Sequence, residues 1–152
     1  MVTSSSVLVR PVREIGAYLA AQLGTAVAVN LFGDLRIRRL PCVNIFWEEL
    51  SYEADTITTS MVAEVWAEGA DFAETADALI LLSAQVAAEL QSLHNYGGYA
   101  GLIALEVTGI TCESRMSFGE QGKNDALKPI AQRAVIAFTV RQHSSPGSYG
   151  GN

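Results

Sequence analysis

The order of apolar and polar residues predicts a short helix near the start of the chain. Pro11 suits a first helical turn, and Gly24 follows the last apolar position of the segment. Between them the apolar residues recur at spacings of three and four, which places them on one helix face: Val12, Ile15, Leu19 and Leu23. We therefore predict one amphipathic helix over residues 11–23.

A second, longer helix is predicted over residues 72–94. Asp71 can cap its first turn while Glu74 reaches back to Asp71, as in a capping box. At about 1.5 Å per residue this helix is roughly 35 Å long, enough to cover one face of a sheet. His94 lies at its end, where a cationic side chain complements the helix dipole. The predicted inward stripe is Phe72, Leu79, Leu82, Val86, Leu90 and Leu93.

Most of the remaining chain has the pattern of β-strands. Residues 26–31 and 35–40 are short apolar or alternating runs. Residues 43–55 and 56–71 are rich in Val, Ile, Trp, Tyr and Thr and predict two strands that meet near Asp55. One face of the second strand consists of Ile57, Thr59, Met61, Ala63, Val65 and Ala67, and the other of Thr58, Ser60, Val62, Glu64, Trp66 and Glu68.

The run 35–40 has two interpretations. Its apolar residues alternate with Arg36 and Arg38, which would face outward. Charge on an exposed edge strand prevents unwanted pairing with other chains. The alternative is a docking surface for an acidic neighbour. The sequence leaves both open.

The last two strands form a long predicted hairpin. Residues 102–118 change the phase of their alternation at Gly109, which indicates a β-bulge. Up to Val107 the predicted inward residues are Ile103, Leu105 and Val107, and beyond the glycine they are Ile110, Cys112 and Met116. The final strand, residues 133–143, alternates Ala134, Ile136, Phe138 and Val140 with Arg133, Val135, Thr139 and Arg141.

The length of this hairpin predicts a contact with another chain. Two strands of about 15 residues measure roughly 50 Å and would extend beyond their own domain. Apolar residues on an isolated arm need a partner, and the simplest is a second copy arranged head to tail in a ring. The predicted interface consists of Ile110, Cys112, Met116 and Phe118, with Arg36 and Arg38 as a further candidate surface.

These elements predict an α+β fold in a single domain. An antiparallel or mixed β-sheet carries two packed helices and the long C-terminal hairpin. The domain covers residues 1–143, and residues 144–152 have the composition of a flexible Gly/Ser tail. The chain has 152 residues, of which 49% are apolar, which is typical of one globular domain. No charge-free apolar run reaches the roughly 18 residues of a membrane span, and residues 1–14 lack the pattern of a signal peptide, so we expect a soluble intracellular protein.

The net charge of -6 is concentrated in the middle of the chain. Residues 42–120 contain 13 Asp and Glu against the single Arg115, whereas both flanking segments are basic. An acidic middle argues against a general nucleic-acid binder, which needs basic residues to displace counterions. Glu64 and Glu68 share a strand face, but no matched partner for acid and base catalysis accompanies them, so a solvated face is the simpler interpretation.

The motifs of catalysis and cofactor binding are incomplete. Residues 117–126 resemble a phosphate-binding loop, but Ser117 replaces its first glycine, Asn124 follows Lys123, and no helix is predicted next. Neither cysteine belongs to a CxxC pair, and no GxSxG or HExxH motif is present. We therefore predict no catalytic, cofactor-binding or metal-binding residue, with a small α+β enzyme as a remaining alternative.

The order of the elements resembles the tail terminator and tail completion proteins of long-tailed bacteriophages. The resemblance rests on residues 10–23, 72–94, 102–118 and 133–143, and on the order and length of elements only. It implies a virion protein without cofactor, assembled in the host cytoplasm into a homo-oligomeric ring. The ring closes the tail tube and contacts the tail tube protein and a head or neck connector. Six copies per ring is one arrangement.

The same resemblance implies that DNA passes through the ring without specific binding. Acidic residues on the channel wall would keep the duplex from adhering. The predicted channel residues are Glu48, Glu49, Glu53, Asp55, Glu64 and Glu68. A head-closure or neck protein and another kind of oligomeric interaction domain remain as alternatives.

Overall fold

The computed structural model describes residues 2–31, 40–95, 98–112 and 130–144. Within them lie two long helices and five strands, and a single 3-10 turn follows the first helix. The described elements are α1 Val2–Leu23, β1 Ala28–Leu31, β2 Cys42–Glu53, β3 Thr56–Gly69, α2 Phe72–Asn95, β4 Leu102–Cys112 and β5 Ile130–His143.

The strands form one mixed sheet in the order β1-β2-β3-β5-β4. β1 pairs with β2 in parallel, and every other neighbouring pair is antiparallel. Both helices pack on one face of this sheet and share a single core with it. The predicted α+β fold with two helices on a mixed sheet is confirmed.

Helix α1 begins at Val2, well before the predicted start at Pro11, and the proline lies inside the helix. The prediction was wrong because a proline suits a first turn without requiring one, and residues 2–10 contain no other helix breaker. The predicted stripe is buried, from Val12 to Leu23. Gly16 also faces the core, where a Cβ atom would collide with the side chain of Leu31 on β1.

Helix α2 begins with reciprocal capping bonds. The N–H of Glu74 donates to Oδ1 of Asp71 at 2.8 Å, and Oε1 of Glu74 accepts from the N–H of Ala70 at 2.6 Å. Glu74 therefore reaches one residue further back than predicted. Phe72, assigned to the inward stripe, is 49% exposed because it begins the helix beyond the edge of the core. The other predicted positions of the stripe, Leu79 to Leu93, are buried.

The two central strands place their apolar alternation on the helix side as predicted. Every second residue of β3 from Ile57 to Ala67 is buried, and so is every second residue of β5 from Ala134 to Val140. β5 pairs with β3 along its whole length, from Ile130 opposite Gly69 to His143 opposite Thr56. The described part of the hairpin is therefore part of the sheet. Its predicted extension, residues 113–129, lies outside the described residues.

Strand β4 contains the predicted bulge and one that was not predicted. Its register against β5 shifts between Val107 and Gly109 and also between Leu102 and Ala104. Because of the second shift, Leu102 packs against the core where Ile103 was predicted to do so. Residues 35–39 of the predicted basic strand and residues 145–152 of the predicted tail lie outside the described residues.

Candidate assembly surface

The bulge at Gly109 determines which residues of β4 face helix α2. Val107 lies opposite Phe138, which faces the helices, and straight alternation would next place Gly109 and Thr111 on that side. The extra residue shifts the pattern by one, so that Ile110 and Cys112 lie on the helix side. The sequence pattern around one glycine thus places two predicted interface residues beside α2.

A groove separates α2 from this end of β4 and β5. Its volume is about 200 Å³, and its walls are almost entirely apolar. Ile80 on the helix is 61% exposed, and Ile110 across from it is 49% exposed. The groove is lined by Leu79, Ile80, Ser83, Ala84, Ile110, Cys112 and Ala134.

Ser83 supplies a buried polar atom to the groove. Its residue is only 5% exposed, and its Oγ has no hydrogen-bond partner among the residues that the structure describes. A buried hydroxyl without a partner costs about 1–3 kcal/mol. An occupant of the groove that brings a donor or acceptor would remove this cost.

Helix α2 carries no charged residue on any side beside this groove. Residues 78–88 contain no charged side chain over about three turns. Leu79 and Leu82 are buried, whereas Leu81 is 71% exposed on the outer side. A second depression, of about 340 Å³, lies on the other flank of the helix beside Pro41 and Ala67. Large apolar residues grouped on an exposed surface, here Ile80 and Leu81, are typical of a surface that is covered in the assembled state.

The sequence pattern does not identify Ile80 and Leu81 as exposed, or Ser83 as part of the groove. Ala78 to Leu82 form an unbroken apolar run, so helical periodicity alone cannot separate the inner positions from the outer ones. The length of this apolar run is the signal in the sequence that could have indicated an exposed apolar side of the helix. Four predicted interface residues, Arg36, Arg38, Met116 and Phe118, lie outside the described residues.

The six acidic residues predicted to face a channel occupy different places. Four are exposed on the second half of β2 and in the turn after it: Glu48, Glu49, Glu53 and Asp55. Glu68 is exposed at the opposite end of β3, roughly 40 Å from that turn at about 3.3 Å per residue. The first four are spread along the strand, since Glu49 lies opposite Ser60 whereas Glu53 lies opposite Thr56.

Glu64 differs from the other five because its charge is compensated. Its Oε2 accepts from Nη1 of Arg133 at 2.7 Å, and its Oε1 accepts from Nε1 of Trp66 at 3.2 Å. The guanidinium of Arg133 also lies 5.8 Å from the centre of the Trp66 ring. This cluster lies on the sheet face opposite the helices, and burial, followed by the charge of Glu64, raises the pKa of the neighbouring Cys42 thiol.

Two kinds of feature are absent from the described residues. No three side chains of His, Cys, Asp or Glu in the described ranges come together as metal ligands would. Neither α1 nor α2 has the length and apolar character of a membrane-crossing helix.

Comparison with known proteins gives a weak structural likeness. No family model matches the chain, and no curated protein matches it. One solved structure that resembles it is a chain in "Virion of native gene transfer agent (GTA) particle", at 18% sequence identity and a TM-score of 0.43. The match covers 82% of this chain and 84% of that one.

Proposed function

We propose that this chain is a structural protein of a phage-like virion, a subunit of a homo-oligomeric ring that terminates the tail tube and joins the tail to the head. The observation that carries the proposal is the apolar outer side of α2, where Ile80 and Leu81 are more than half exposed beside an apolar groove. A monomer in water gains nothing from such a surface, whereas an assembled subunit buries it.

The position of this surface favours a ring over a symmetric dimer. The groove lies next to Cys112, where strand β4 leaves the described part of the chain. Met116 and Phe118 follow Cys112 within six residues along the chain. Their apolar side chains are a second candidate contact surface, separate from the groove. Two different complementary surfaces on one chain give head-to-tail contacts, which close into a ring when the rotation permits.

The charge distribution supports the proposal that DNA passes through the ring. Glu48, Glu49, Glu53 and Asp55 are exposed on the second half of β2 and in the turn that follows it, with no basic residue between them in sequence. Repeated around a ring, this acidic end would give a rim that repels the phosphate backbone. The proposed partners are the tail tube protein on one side and a head or neck connector on the other, and no cofactor is proposed.

Ring formation is the direct test. We expect native mass spectrometry and negative-stain electron microscopy of the purified protein, alone or with tail tube protein, to show closed rings. The variant Met116→Asp/Phe118→Asp should keep the helix content and melting temperature of the wild type and form no rings, because the charges would enter a desolvated contact. Ser117→Asp is the matched control, since it places one negative charge at the polar residue between the two apolar ones.

Two results would contradict the proposal. A wild-type protein that stays monomeric even with tail tube protein has no role as a ring subunit. If the double variant unfolds while Ser117→Asp does not, Met116 and Phe118 belong to the core of the monomer, and the proposed contact between subunits does not exist.

A further inference from the structure

We propose that the free edge of β2 binds an extended segment of a partner protein, in which apolar residues alternate with Lys or Arg. β1 pairs with β2 only from Cys42 to Ile45, and no strand among the described residues follows this edge further toward Glu53. The unpaired N–H and C=O groups of an edge strand form a template on which another strand can add. The inference goes beyond the proposed function and applies to a single subunit as well as to a ring.

One side of this edge is aromatic. Trp47, Leu50 and Tyr52 each lie opposite a buried residue of β3, and residues that face each other across an antiparallel pair point to the same side of the sheet. All three therefore project on the side of the helices. The helices nevertheless leave Trp47 50% exposed and Tyr52 66% exposed. Trp and Tyr are among the residues that most often dominate the binding energy of protein interfaces, so this side offers two anchors.

The other side of the edge is acidic. Glu49 and Glu53 lie opposite Ser60 and Thr56, which point away from the helices, and both glutamates are exposed. A strand that adds to the edge alternates its own side chains in the same way. Its apolar residues then lie on the aromatic side, and its basic residues lie beside the two glutamates. Opposite charges on adjacent strands stabilise a sheet.

The charges on this edge disfavour a symmetric pairing of two copies. The register against β3 shifts between Trp47 and Glu49 and is then regular to Glu53, so the bulge leaves a continuous stretch for pairing. A second copy that adds through the same edge brings the same glutamates, and like charges on adjacent strands destabilise a sheet. Edge carboxylates protect against such pairing. They attract a basic strand instead, and the proposed occupant is therefore a partner of opposite charge.

The rest of the same chain does not match this strand. The segment between β1 and β2 spans at most roughly 30 Å, which is too short to reach Tyr52, roughly 20 Å beyond the last residue paired with β1, and return. Residues 113–129 span roughly 60 Å, less than the path to this turn and back, because β5 starts opposite Gly69, roughly 40 Å away. Residues 145–152 start beside the turn, where the N–H of Ser144 bonds to the backbone O of Asp55, but they contain no Lys or Arg.

Binding of three synthetic peptides tests the inference. The first alternates leucine with lysine, and the second alternates leucine with glutamate. The third is the lysine peptide with every backbone nitrogen methylated, so that it keeps the side chains and lacks N–H donors. Fluorescence anisotropy of the labelled peptides measures their affinity for the wild-type protein across a salt series. We expect only the first peptide to bind, with an affinity that falls as the salt concentration rises.

Variants of the aromatic side locate the binding. Trp47→Ala and Tyr52→Ala should each weaken binding of the lysine peptide on the order of thirtyfold, as the loss of an interface anchor does. Tyr52 is the more exposed of the two, so its truncation tests the site even if Trp47→Ala lowers the melting temperature. Phe72→Ala is the matched control, because Phe72 is 49% exposed at the start of α2, away from this edge. It should bind as the wild type does.

A second set of variants tests the acidic side. Glu49→Gln/Glu53→Gln removes two charges from the edge and should weaken binding several-fold while flattening its salt dependence. Asp77→Asn/Glu106→Asn removes the same charge from two exposed residues elsewhere and should leave both unchanged.

Three results would overturn the inference: equal binding of the lysine and glutamate peptides, retained binding of the methylated peptide, or equal loss in Tyr52→Ala and Phe72→Ala. If the lysine peptide binds only after oligomers of the protein are diluted, a second copy occupies the edge and the inference is likewise wrong. A protein that forms rings and binds no peptide contradicts this inference alone. A protein that forms no rings and binds the lysine peptide at this edge supports it and contradicts the proposed function.

Discussion

At the scale of single residues, Ala54 occupies a backbone conformation suited to glycine. It is the first of two residues in the turn between β2 and β3, and its φ is 37°. The left-handed region costs a residue with a Cβ about 1–2 kcal/mol, whereas glycine enters it freely at a smaller cost in chain entropy. We expect Ala54→Gly to raise the free energy of unfolding by about 0.5 kcal/mol, measured by urea denaturation.

A glycine at an ordinary helical position provides the comparison. Ala88→Gly on the exposed side of α2 should lower stability by about 1 kcal/mol. Equal destabilisation by both variants would show that the turn imposes no strain on Ala54.

The two cysteines should differ in reactivity for reasons visible at each residue. Cys42 is buried, and burial raises the pKa of its thiol, with a further contribution from the charge of Glu64. Since only the thiolate attacks iodoacetamide, a raised pKa lowers its rate at any pH below that pKa. Between pH 7 and 9 we expect Cys112, which is exposed, to be alkylated first, and Cys42 to follow only at higher pH or in denaturant. Mass spectrometry of the labelled peptides measures both rates, and equal rates in the native protein would contradict this account.

At the scale of elements, the start of α2 depends on two carboxylates. Asp71 accepts from the N–H of Glu74, and Glu74 accepts from the N–H of Ala70. Loss of a capping side chain typically costs about 1 kcal/mol, which corresponds to about 2–4 °C in a chain of this size. Asp71→Ala and Glu74→Ala should each lower the melting temperature by that amount in differential scanning calorimetry. Asp77→Ala, one turn later and exposed, should leave it nearly unchanged.

The same scale shows which elements the sequence could predict. Strand β3 and the second half of α2 are buried most deeply on one side, so local periodicity identifies their inward positions. The start of α1 was missed because Pro11 is compatible with both a first turn and an interior position. The parallel pairing of β1 with β2 depends on residues far apart in sequence, which no local pattern specifies.

Some residues of the candidate surface could be predicted from the sequence and others could not. Ile110 and Cys112 were predictable because a phase change at Gly109 is a local signal, and the structure places both beside the groove. Ile80 and Leu81 belong to a run in which every position is apolar, so the exposed side follows only from how α2 lies on the sheet. That the Ser83 hydroxyl has no partner among the described residues depends on its three-dimensional surroundings and has no signature in the sequence.

At the scale of the whole molecule, the net charge of -6 and its placement lead to a prediction about DNA. Glu53 is exposed beside the turn between β2 and β3, and Glu49 is exposed four residues earlier on β2. Both belong to the proposed acidic rim. We expect assembled wild-type rings to bind duplex DNA weakly at low salt, with little salt dependence, because few phosphate contacts release counterions. Filter binding across a salt series measures both the affinity and its slope.

Two variants of equal net charge separate a positioned rim from a general effect of charge. Glu49→Lys/Glu53→Lys changes the rim, and Asp77→Lys/Glu106→Lys changes two exposed residues elsewhere, each bringing the net charge from -6 to -2. If the rim faces the channel, the first variant should retain duplex DNA within rings, with a slope of log affinity against log salt that steepens by about 0.9 for each new phosphate contact. The second variant should behave as the wild type does. Tight, salt-sensitive binding by the wild type, or equal retention by both variants, would show that these carboxylates do not line a channel.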